Sequence, residues 1–158
     1  MNGRPLALGA AAIGSALIGG VLFAFSSFVM PALRRIPAPQ GIAAMQSINR
    51  QATGFAFGGL IAVTLLLAIG VGMHTVRHRD QPGASWVGVG TISVMIALAI
   101  TGGYNVPRNN QLATLDASTP EAAHYWSTFL TEWIIANHVR ASFCIIAAIS
   151  YTIALRRP

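Results

Sequence analysis

Four stretches of the chain, Leu6 to Val29, Gly54 to Met73, Val87 to Val106 and Trp133 to Leu155, are each about 20 residues long and almost uncharged. A helix needs about that length to cross the hydrocarbon of a bilayer. In lipid every backbone polar group must be satisfied inside the protein, so only helices and closed barrels span. None of the four alternates polar and apolar residues as a barrel strand would. The expected fold is therefore all-α: a four-helix transmembrane bundle, 1–158 as a single membrane domain.

Composition agrees. Of 158 residues, 54% are hydrophobic and 9% charged, outside ordinary soluble usage. Ten arginines and no lysine stand against Asp80, Asp116, Glu121 and Glu132, for a net charge of +6. The arginines sit at the ends of the apolar runs, which points to lipid headgroups and away from nucleic acid. The one cysteine, Cys144, excludes an internal disulfide. The first run continues uncharged to Leu33, too long for a cleaved signal peptide.

Connecting segments carry their own signals. Gln40 to Thr53 reads as a short amphipathic helix at the interface before span 2. "STPEAAHYW", with Ser118 or Thr119 before Pro120 and Glu121, reads as the start of another, a lid ahead of span 4. Span 3 is expected to stop at Pro107, which cannot continue a regular helix. Ser15 with Gly19, and Ala16 with Gly20, are small residues four apart. They read as tight packing within one bundle rather than a dimer seam, although a homo-oligomer is compatible with them.

Four spans put both termini on one side, with Arg4, Arg77, Arg79, Arg156 and Arg157. The other side has Arg34, Arg35, Arg50, Arg108 and Arg140. If Arg50 and Arg140 point into the bundle, the remaining excess places both termini in the cytoplasm.

Polar residues gather at the end opposite the termini. Four segments supply them: "FSSFVMPALRR" (Phe25 to Arg35), "AMQSINR" (Ala44 to Arg50), "YNVPRNNQLA" (Tyr104 to Ala113) and "EWIIANHVRASFCII" (Glu132 to Ile146). In the last, Trp133, Asn137, Arg140 and Cys144 share one helix face, while His138 is turned about 100° from Asn137. Arg140 lies seven residues, about 10 Å, into its span. An arginine at the centre of a membrane helix costs about 2.5–3.5 kcal/mol, so it should turn inward and find partners. Asn49, Asn105, Asn109 and Glu132 are the candidates. His74 and His78 are spaced to share a metal, but no third ligand is near in sequence and no metal site is expected.

These four segments resemble, in order, the signature of the anthrone oxygenase-like membrane proteins; the matching positions are Pro31, Gln46, Asn49, Asn105, Pro107, Asn109, Asn137 and Arg140. The resemblance covers almost the whole chain. It implies a membrane-embedded oxygenase that oxidises an anthrone-like aromatic polyketide to a quinone with O2 as co-substrate and no cofactor. Its partners would be the bilayer and a small aromatic substrate. On that reading the catalytic set is Arg140, Asn137, His138, Asn105 and Asn109, with His138 as base and Glu132 next. The substrate-binding set is Gln46, Asn49, Arg50, Tyr104, Trp133 and Met30. A non-catalytic small-molecule binding or transport protein, or a structural subunit, is the alternative.

Overall fold

The computed structural model describes residues 3–157 as helices and short connections, with no strand among the described residues. In chain order the helices are α1 (Arg4–Arg34), α2 (Ala38–Ala52), α3 (Phe55–Arg77), α4 (Ala84–Thr114) and α5 (Pro120–Leu155). All but α2 are long and apolar enough to cross a membrane, which makes this a multi-pass membrane protein. α5 packs along α1 and α4, and α3 packs against the same two from the other side. Lipid-facing surfaces are apolar, as at Leu17, Phe28, Leu66 and Ile149.

Three layers fill the bundle. Near the termini, Leu8, Ala11, Val87, Ala147 and Tyr151 are all at most 1% exposed. Ile18, Leu22, Ala97, Ala141 and Cys144 form the middle. At the far end Met30, Ile42, Met45, Leu112, Trp126, Phe129 and Trp133 make an aromatic-rich cluster in which α2 covers the first turns of α5. Small residues set the approach of the helices. A Cβ on Gly19 would lie 3.2 Å from that of Cys144, and one on Gly14 would collide with the Thr64 hydroxyl. Ser15 and Gly19 thus face the bundle interior, whereas Ala16 and Gly20 face outward.

The helices overrun the expected boundaries for identifiable reasons. α4 passes through Pro107 and continues to Thr114. Just before it, Thr101–Asn105 forms a widened π turn in which the Val106 N–H reaches back five residues to the Thr101 carbonyl. α1 does the same ahead of Pro31, with a π turn at Phe25–Val29 and the Met30 N–H donating to the Phe25 carbonyl. One extra residue in the turn moves away the carbonyl that a proline ring would otherwise strike. Nearby hydroxyls donate to carbonyls four residues back: Ser27 Oγ to Phe23 O and Thr101 Oγ1 to Ala97 O, each 2.7 Å.

The expected lid before span 4 is instead the first part of α5 itself. From Pro120 to Leu155 no glycine or second proline interrupts the chain, and Trp126, Phe129 and Leu130 are buried. At 36 residues α5 is about 54 Å long, against a hydrocarbon core of about 30 Å, so its first turns stand beyond the lipid. Thr119 caps it, accepting from the Ala122 N–H at 3.2 Å. Arg50 is exposed, contrary to the expectation that it points inward. The charge argument for orientation therefore falls to five arginines against four.

Candidate functional site

The two π turns stand at the same end of parallel helices, α1 and α4, and both face α5. What they bring to α5 is polar and buried. Ser26 on the first turn is 4% exposed and Asn105 on the second 1%; on α5, Asn137 is 0% and Arg140 7% exposed. Such turns recur at functional sites because they offer backbone and side-chain groups that a regular helix would hide.

Asn137 binds the first turn directly. Its Nδ2 donates to the Leu22 carbonyl at 2.6 Å and to Ser26 Oγ at 2.7 Å, and its Oδ1 accepts from an Arg140 Nη1 at 3.3 Å. That is the whole of Arg140's hydrogen bonding: its Nε is buried without a partner. The one ion pair among the described residues is Arg108–Glu132, so Arg140 has no carboxylate opposite it. Asn105 has neither its Nδ2 nor its Oδ1 bonded, and Asn49 Nδ2 is also buried and unpaired. Buried polar side chains are nearly always satisfied, and each exception calls for an explanation. Among the described residues, four of the six unsatisfied buried side-chain atoms belong to three residues of this polar end.

Beside Arg140 lies a cavity of about 30 Å³ at which all four spans meet. It is walled by Ile18 and Leu22 of α1, Ile61, Thr64 and Leu65 of α3, Val94, Ala97, Leu98 and Thr101 of α4, and Cys144 of α5, with Ser15 also on its lining. A family model described as anthrone oxygenase matches residues 44–150, more than half of the chain. The chain belongs to the anthrone oxygenase family. No curated protein and no solved structure matches it. The matched stretch holds Asn49, Asn105, Asn137 and Arg140, while Leu22 and Ser26, which hold Asn137 in place, lie ahead of it.

Not every residue that the family resemblance implicates joins this inner cluster. Asn109 and Trp133 bond each other just outside it, Trp133 Nε1 donating to Asn109 Oδ1 at 2.9 Å, with Phe25 and Phe129 against the indole. Tyr104 is on the rim: its hydroxyl donates to Glu132 at 3.4 Å, and the Arg108 guanidinium lies 3.5 Å over its ring while pairing with Glu132 at 2.9 Å. Gln46 closes the end of α4, its Nε2 donating to the Leu112 and Leu115 carbonyls at 2.9 Å each. Met30, at 0% exposure, is packed in the aromatic layer. Arg50 is exposed and so is His138, which stands beside Ile135 and Val139 on the outer face of α5. The 100° turn from Asn137 carries the imidazole away from the buried cluster, which removes the reason for reading His138 as its base.

Ser26, Thr64 and Thr101 belong to the site or its cavity, yet their sequence context hardly marks them. The readable signal for Ser26 is the matched placement of Pro31 and Pro107, each six residues after the start of a π turn. Among the described residues no three His, Cys, Asp or Glu side chains gather as a metal site. His74 and His78 stack on each other, ring centroids 4.4 Å apart, at the opposite end.

Proposed function

We propose that this protein is a membrane-embedded oxygenase that converts an anthrone-like aromatic to its quinone with O2 and without a cofactor. The observation that carries the reading is Arg140: a guanidinium buried in a membrane helix, with no anion beside it and an unused N–H. A buried cation without a counter-ion is costly, and an anionic ligand offsets that cost. Loss of a proton from the anthrone methylene, which lies between two rings and is conjugated through them to the carbonyl across the central ring, leaves an anion whose charge rests largely on the carbonyl oxygen. Arg140 and the free Asn105 amide are the donors for that oxyanion, pre-arranged in a water-poor site where such contacts weigh most.

The carbon of that anion then gives its electron pair to O2. A C–O bond forms, O2 is reduced to a hydroperoxide, and loss of water leaves the second carbonyl. One anthrone and one O2 thus give one quinone and one water. The inner cluster is made of amides, a hydroxyl and a guanidinium, a donor set suited to an oxyanion and poor for a metal. Glu132 on the rim is the candidate base, since its bonds to Tyr104 and Arg108 all run through Oε2. The cavity is about a tenth of the smallest ordinary ligand pocket. An aromatic must therefore enter by displacing α3, the least buried of the four spans, which packs mainly on α1 and α4.

The test is quinone formation under 18O2 by purified protein in nanodiscs. One labelled oxygen per quinone above the spontaneous rate is expected, with no stoichiometric iron or copper in the sample. A rate no faster than spontaneous oxidation would reject the reaction, and bound metal would reject the cofactor-free route. The exposure of His138 keeps a binding protein in view as the second reading. Glu132→Gln separates the two: a loss of turnover with the aromatic still bound supports catalysis, whereas binding without any turnover in the wild type supports the alternative.

A further inference from the structure

The cavity beside Arg140 is too small for the aromatic and is distinct from the oxyanion contacts at Asn105. We propose that it is a dioxygen-binding chamber, an inference that rests on the oxygenase reading above. Its walls are hydrocarbon from three spans: Ile18 and Leu22, Ile61 and Leu65, Val94 and Leu98. The two threonines on its lining spend their hydroxyl protons on their own helices, Thr64 Oγ1 donating to Leu60 O at 2.8 Å and Thr101 Oγ1 to Ala97 O at 2.7 Å.

Water is the competing occupant. A buried water requires two to four polar partners. On the lining Arg140 Nε and Ser15 Oγ are without a partner and the two threonine oxygens keep acceptor lone pairs, a few polar groups set in a wall that is otherwise hydrocarbon. Predominantly apolar cavities favour apolar guests such as xenon. Dioxygen is apolar, hardly larger than water and soluble in lipid, and the space of about 30 Å³ accepts one molecule.

Position completes the case. On its outer side α3 exposes Val63 and Leu66 to lipid, so a single helix separates the chamber from a hydrocarbon phase that dissolves oxygen. On its inner side stands Arg140. When the substrate anion forms its bond to O2, negative charge moves to the far oxygen, and a guanidinium at the chamber wall stabilises it.

The experiment uses full-length protein in nanodiscs with labelled Ile, Leu and Val methyl groups, comparing relaxation under O2 and under N2. Ile18, Leu22 and Val94 line the chamber; Leu8 and Val87 are also buried, at 1% and 0% exposure, but lie away from it. Paramagnetic enhancement several-fold greater at the first three is expected. Ala97→Val, which fills the chamber, should reduce that enhancement and raise the KM for O2 at least fivefold with the KM for the aromatic unchanged. Equal enhancement at both sets of methyls, or a long-lived water contact at the chamber methyls, would overturn the proposal, and the wild-type comparison decides this even if the variant fails to fold. A chamber that takes up O2 in a protein that oxidises no anthrone would leave the site standing and reject the oxygenase reading instead.

Discussion

The two ends of the bundle are built from the same helices in opposite ways. At the termini end Tyr151 is fully buried, its hydroxyl 3.2 Å from Thr91 Oγ1, and that threonine reaches the Ala68 carbonyl at 3.3 Å. Three spans are tied by one satisfied chain, and glycines bring the backbones close: a Cβ on Gly90 would lie 2.7 Å from the Tyr151 ring. At the other end both prolines are preceded by widened turns, Asn105 is buried with all its polar atoms idle, and Arg140 has one long bond to a neutral amide. The first arrangement maximises stability. The second forgoes it, the usual mark of a site shaped for a ligand.

That contrast can be broken or sharpened. The largest effect is expected from a disulfide at the level of the cavity: Gly14→Cys with Thr64→Cys, where the Cβ atoms would stand 3.2 Å apart, close to disulfide geometry. Oxidised, it should abolish quinone formation by pinning α3, and reduction should restore it. The matching bridge at the tight end, Gly72→Cys with Thr91→Cys at 3.4 Å, should leave turnover intact. Equal effects of the two locks would mean that α3 is no gate.

Next comes Asn105→Leu. Removing one oxyanion donor costs about 10²-fold or more in kcat. Because the amide is unpaired, its loss should not lower the unfolding midpoint and should raise it slightly. Gly90→Leu is the mirror case. Overpacking against Tyr151 should destabilise by about 1–3 kcal/mol in denaturation, with turnover per folded molecule unchanged. If Asn105→Leu unfolds the protein while Gly90→Leu stops catalysis, the division between the ends is wrong.

The smallest effect belongs to neither end but to the connection into α5. Asp116 Oδ1 accepts from the Ser118 backbone N–H at 2.9 Å and from its hydroxyl at 2.8 Å, and the backbone bond foremost holds the carboxyl below its usual range. A carboxyl whose folded value is depressed adds stability above its unfolded value and loses it as pH falls through the folded one. Local hydrogen exchange at the start of α5 should therefore rise only in acid, below the ordinary range of an aspartate, and Asp116→Asn should remove that dependence.

Much of this architecture was legible in the sequence. Four apolar runs gave the spans, and the 3.6-residue repeat put Trp133, Asn137, Arg140 and Cys144 on one face, all of them buried. The same repeat turned His138 away, so the structure bears out the periodicity at the expense of the chemistry that made a histidine attractive as a base. Boundaries were less legible. Pro107 signals a stop, but a π turn removes the clash and carries α4 seven residues past it, to Thr114. Gln46 shares a flank with Asn49, yet it spends both contacts on closing α4, a long-range role that no local spacing encodes. Residues of the cavity were hidden for a similar reason. Thr64 and Thr101 matter only because four helices converge on one level.

The central claim is that Arg140 is retained for a ligand and not for the fold. Arg140→Met keeps the length of the side chain and removes the charge, so one preparation can give both quinone formation from an anthrone and the thermal unfolding midpoint. The account predicts oxidation at the spontaneous rate together with a midpoint equal to or above that of the wild type, since an unpaired buried charge is replaced by an apolar group. A lower midpoint with turnover per folded molecule preserved would contradict it.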